Sequence, residues 1–83
     1  PAWNKQFGSK QQEADRRDAL AYADWYSDAF GEKASIVSDN TNVPGLGSIY
    51  NGFIVETFAG EQVGRIKGGW FRSLTDSTPD FRI

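Results

Sequence analysis

The chain has 83 residues, nine Lys and Arg against eleven Asp and Glu, a net charge of −2, and neither Cys nor His. A chain this short hides only roughly 60% of its unfolded surface on folding, which predicts one domain over residues 1–83 with a small core. Without Cys there are no disulfides, thiolate nucleophiles or zinc-thiolate sites. Without His the usual general base and metal ligand are missing, so the expectation is a protein that is not an enzyme and holds no cofactor or metal.

Residues 1–8 read as an N-terminal arm carrying Trp3 and Phe7. Two large rings on so short a segment must be buried, either by folding back over the domain or by docking on a neighbouring subunit. The arm has no apolar stretch of the kind that opens a secretory signal, and no run in the chain approaches the roughly 20 apolar residues that span a bilayer. Pro1 is the residue left when an initiator methionine is removed. Together these point to a cytoplasmic product with no membrane attachment.

Residues 9–31 predict one helix. Ser9-Lys10-Gln11-Gln12 fits a capping box, no Pro or Gly interrupts the segment, and Gly31 suits the left-handed position past a helix end. Ala19, Tyr22, Ala23, Tyr26, Ala29 and Phe30 fall at helical spacing on one face, which predicts an apolar stripe against a sheet. Residues 18–32 hold Asp18, Asp24, Asp28 and Glu32 with no Lys or Arg. Asp24, Asp28 and Glu32 are spaced i, i+4, i+8, so adjacent pairs repel by about 0.2 to 0.5 kcal/mol. They also stand at the negative end of the helix dipole, where cations are favoured. Such a row is either an ordinary solvated face or a surface for a basic partner.

The sequence then turns to β-branched and aromatic residues broken by glycines, the pattern of strands. Ser35–Ser38 is a short candidate, followed by an irregular polar loop over 38–48 with a type II turn at Pro44-Gly45. Asn40 and Asn42 in that loop are candidate contacts, since loops often carry binding residues. The Asp39-Asn40-Thr41-Asn42 run lacks the Gly and closing Glu of a calcium loop, and Gly45 and Gly47 lack the third glycine of a dinucleotide fingerprint. Four further strand candidates follow, separated at Asn51-Gly52, Ala59-Gly60 and Gly68-Gly69, and a meander is the simplest arrangement. Asn51-Gly52 is alternatively a bulge inside one longer strand. Phe81–Ile83 is a possible edge strand. Tyr22, Tyr26, Phe30, Phe53, Val55 and Ile66 are the expected core.

The stretch QVGRIKGGWFRS sets Arg65, Lys67 and Arg72 around Trp70 and Phe71. The K-G-G-W-F run resembles the basic-Gly-aromatic signature of RNA-recognition motifs, but it lacks their aromatic spacing, and the helix-first order is not that fold. Two readings stand: a core hairpin with a basic outer face, or a stacking platform for nucleic acid. The net charge disfavours nucleic acid.

The sequence therefore predicts an α+β domain, one long N-terminal amphipathic helix on a small antiparallel sheet over 35–83. The expected function is a non-enzymatic protein-binding module engaging a basic partner surface through Asp24, Asp28 and Glu32, with Trp3, Asn40 and Asn42 as further contacts. By analogy of size and charge with virus-encoded host-interference factors, it would act as an inhibitor or adaptor, or as a small subunit of an assembly. The alternative is a nucleic-acid-binding sheet using Arg65, Lys67, Trp70 and Arg72.

Overall fold

The computed structural model describes residues 8–74. Trp3, Phe7 and the Phe81–Ile83 candidate lie outside the described residues. The architecture is one long N-terminal helix, α1 (Ser9–Phe30), packed on a four-stranded antiparallel meander. Its strands are β1 (Ala34–Val43), β2 (Gly47–Thr57), β3 (Gln62–Lys67) and β4 (Trp70–Ser73), in the order β1-β2-β3-β4. Among the described residues no helix is long and apolar enough to cross a membrane.

The helix begins one residue earlier than the capping box requires. Gly8 holds the extended N-cap conformation, Ser9 is already helical, and no side chain caps the end. The Gln12 amide instead donates to the Gly8 carbonyl at 3.1 Å. At the other end Gly31 is left-handed, as predicted, and its amide donates to Ser27 O. The Ser27 hydroxyl donates to Ala23 O and accepts the Ala34 amide, so the last turn of the helix also fixes the start of β1.

The buried stripe of the helix is Asp15, Ala19, Tyr22, Ala23 and Tyr26. Tyr22, Tyr26, Val55 and Ile66 are core residues as predicted, joined by Val63, and Phe53 packs half-buried against them. Phe30 and Ala29 depart from the prediction and are exposed. The chain reverses at Gly31, and Phe30 rests 42% exposed against the rings of Tyr26 and Trp25. Helical spacing placed it on the stripe, but the stripe ends one turn sooner. Tyr22 is the centre of the core. Its ring lies 4.5 Å from that of Phe71, its hydroxyl donates to Val63 O, and a Cβ on Gly64 would come within 2.7 Å of it. Glycine at 64 is therefore what lets the helix approach β3.

The sheet differs from the sequence reading at its first hairpin. The short strand at Ser35–Ser38 and the loop over 38–48 are instead one continuous ten-residue strand, a tight turn and the start of β2. Pairs run from Ala34↔Thr57 to Val43↔Gly47, and Leu46 N donates to Val43 O across Pro44 and Gly45, with Gly45 at φ 83° as a type II turn requires. Asparagine and serine are tolerated here because the outer half of the hairpin is solvated, where strand propensity depends on context. Asn51-Gly52 is the bulge and not a hairpin turn. Ser38 pairs with Phe53 and Asn40 with Tyr50, leaving Asn51 and Gly52 opposite Asp39 alone. Gly52 is at φ 94°, and a Cβ there would collide with the Ile66 carbonyl oxygen. A second irregularity, between Val55 and Glu56, turns the extra residue Val63 into the core.

Candidate functional site

The most constrained polar group is one the sequence reading passed over. Asp15 is wholly buried on the helical stripe. Its Oδ1 accepts hydrogen bonds from Gln11 Nε2 at 2.9 Å and the Gly69 amide at 2.8 Å. Its Oδ2 accepts from the Tyr50 hydroxyl at 2.6 Å and the Gly68 amide at 2.7 Å. Burial pushes the Asp15 carboxyl up, but these four donors outweigh it and hold the group below the ordinary carboxylate value. Burial, then the bond to Asp15 and its charge, push the Tyr50 phenol up in turn. One carboxylate thus clamps the Gly68-Gly69 turn and β2 to the helix. The signal was available: Asp15 lies four residues before Ala19, in phase with the stripe.

This clamp positions the basic and aromatic residues of the last hairpin. Arg65 pairs with Arg72 and Lys67 with Trp70, so these four side chains share the face of the sheet away from the helix, while Ile66 and Phe71 face inward. Phe71 enters the core and the basic residues line the outer face, as the core-hairpin reading expects, and that outer face also carries the Trp70 of the stacking-platform reading. Trp70 is 82% exposed. Arg65 Nη2 donates to Asp39 at 2.8 Å and to Asn51 O, and Lys67 Nζ donates to Asn51 Oδ1. Asn51 Nδ2 also donates to Asp39, so the bulge in β2 gathers both cations. Arg72 is exposed, and among the described residues its side chain has no hydrogen bond or ion pair.

The acidic row is altered by the fold. Asp24 and Asp28 are exposed on the helix, but Glu32 lies beyond the Gly31 cap and does not continue their line. In its place the turn between β2 and β3 brings Glu61 to the same end. Thr57 N donates to Glu61 O, and Glu61 N donates to the Thr57 hydroxyl, which fixes that turn. The Tyr26 phenol is pushed up by burial and then by the charges of Glu32 and Glu61. The last turn of the helix has no basic residue. Lys33 sits nearby with its Nζ 5.8 Å from the Phe58 ring.

Asn40 and Asn42 are exposed on β1, opposite Tyr50 and Ser48. They are strand residues and not loop residues. Tyr50 reaches Asp15, so Asn40 lies at the Asp15 end of the helix, roughly 20 Å of helix axis from Asp28 at 1.5 Å per residue. The structure therefore does not bring the two asparagines to the acidic row. Among the described residues no three His, Cys, Asp or Glu side chains form a group able to hold a metal. Comparison of the chain with protein-family models, curated proteins and solved structures finds no match in any of the three.

Proposed function

We propose that the chain is a non-enzymatic protein-binding module, of inhibitor or adaptor type, that engages a basic surface of its partner through the acidic end of the molecule. The supporting observation is that Asp24 and Asp28 are exposed on a helix with no basic residue in its last turn, while Glu32 and Glu61 both lie close enough to the same end to act on the Tyr26 phenol. A carboxylate at a helix C-terminus is mildly unfavourable for folding, so stability does not call for this arrangement. A concentrated negative end does steer a positively charged partner during encounter and discriminates against acidic ones. A nucleic-acid role is less well supported. Arg65 and Lys67 are turned to Asp39 and Asn51, and Glu56 adds a second carboxylate on the open face, which leaves few cations for phosphate.

The test is retention from a lysate of the source organism on immobilised wild-type, Asp28→Lys and Glu61→Lys protein. Proteins held by the wild type, released by salt and lost from both variants support the reading. The same proteins held in the same amounts on all three would sink it.

A further inference from the structure

We propose that the open face of the β3–β4 hairpin is a second docking surface, taking an acidic segment of a partner protein whose carboxylate meets Arg72 and whose apolar side chain covers Trp70. Three observations converge on it. Trp70 leaves its indole 82% exposed, while Phe71, its neighbour, is the one turned inward. Arg72 stands directly across from Arg65, a like-charge pair that disfavours the sheet, and among the described residues an acid, Asp39, relieves Arg65 but none relieves Arg72. The platform is also held rigid. The amides of Gly68 and Gly69 are both bonded to Asp15, and Phe71 is locked on Tyr22. A surface ordered before binding loses little further freedom on association.

Charge complementarity selects the occupant. Lys67 and Arg72 flank the indole on the same face, with Arg65 completing a two-by-two array. Trp and Arg at the centre of a patch are the residue types that dominate protein interfaces, and a guanidinium grips a carboxylate through two parallel hydrogen bonds. Among the described residues of this face, Arg72 is the arginine without a partner, which suits one carboxylate. Tracking a polynucleotide needs a series of phosphate contacts, and Arg65 and Lys67 already hold the bulge residues. With a basic partner at the acidic end, a position that rests on the proposed function, this second face makes the chain an adaptor joining two proteins of opposite charge.

The experiment is a titration of the intact protein with the peptide Glu-Leu-Glu-Phe-Glu, its Gln-for-Glu counterpart and a short oligothymidylate, following the Trp70 indole N–H resonance identified by its absence in Trp70→Phe. The acidic peptide should shift this signal saturably and the Gln peptide should not. Arg72→Glu should weaken binding about tenfold or more, with Arg72→Lys in between because an ammonium cannot bind in bidentate fashion. No shift of Trp70, or unchanged affinity in Arg72→Glu, would overturn the proposal. So would tighter binding of the oligothymidylate, which would make the face a nucleic-acid platform, or a concentration-dependent shift without peptide, which would make a second copy the occupant. The titration uses no basic partner and the retention test uses no acidic peptide, so the two proposals fail separately.

Discussion

The two outer hairpins use the same local grammar and end in different mechanical states. Both turn on glycine at positive φ, Gly45 in one and Gly68-Gly69 in the other. In the β3–β4 hairpin the turn amides end on a buried carboxylate, and one side of the strands packs into the core. Beyond the bulge, the β1–β2 hairpin has exposed Asn40, Thr41, Asn42 and Ser48, and Leu46 at its tip is 74% exposed. A two-stranded ribbon without a buried face is marginal on its own. Turn chemistry sets where a chain reverses; a tertiary anchor decides how firmly the reversal is held.

The sharpest way to break the contrast is to remove the anchor. Asp15→Ala removes the carboxylate that accepts from the half-buried Tyr50 hydroxyl and Gly68 amide and the exposed Gly69 amide; with hydrogen bonds to a charged group worth about 1.5 to 3 kcal/mol each, discounted because water reaches these donors, the expected loss is about 3 to 5 kcal/mol. That is a large part of the ~4 to 12 kcal/mol available to a domain of this size. Chemical denaturation measures it, and a cost below about 1 kcal/mol would show that the carboxylate is incidental. The same bonds set the pH response. Because the folded Asp15 titrates below its unfolded value of about 4, its contribution is complete above that pH and drains away as the pH falls through the folded value. Tyr50 acts in the opposite direction. Its folded value is raised, so its contribution is complete below about pH 10 and is lost as the pH rises above that. Asp15→Asn should flatten the acid limb of a stability profile and Tyr50→Phe the alkaline limb.

Next in size are the core changes. Tyr26→Ala should cost about 2 to 4 kcal/mol through the cavity it leaves. Gly64→Ala should cost about 1 to 3 kcal/mol, since its methyl would meet the Tyr22 ring at 2.7 Å and one of the two must shift. Denaturation midpoints check both. In the distal ribbon, by contrast, Asn42→Ala should stay within about 0.5 kcal/mol of wild type. Hydrogen exchange should find the Gly68 and Gly69 amides protected and the Leu46 amide fast; the reverse order would refute the comparison.

These contrasts also mark what the sequence made legible. The long helix and the meander follow from spacing and from the glycine breaks, whereas which of Trp70 and Phe71 turns inward does not. The ribbon did not, because Asn, Gly and Ser over residues 38–48 carry a loop's composition whether or not a partner strand lies alongside. Asp15 was hidden because an acid on an apolar stripe looks like the end of the stripe, and only the fold supplies the donors that make it the centre. Glu61 could not be assigned to the acidic end from sequence, since the turn that carries it is thirty residues of chain past the helix.

The smallest expected effect is at that acidic end. The sequence alone suggests that Asp28→Lys relieves two repulsive pairs, but Glu32 lies beyond the helix cap, so only the Asp24 pair remains on the helical face. One relieved pair together with a better match to the helix dipole should raise stability by about 0.5 kcal/mol, a small upward shift in melting temperature. If the acidic end is only a solvated surface, binding to a basic partner will not change. If it steers a partner, the variant will associate more slowly, and the wild-type on-rate will fall steeply with added salt while that of the variant responds less. Stopped-flow association across a salt series separates the two, and equal rates and equal salt slopes would remove the acidic end from function and leave the Trp70 face, Asn40 and Asn42 on β1, and Trp3 as the remaining candidates.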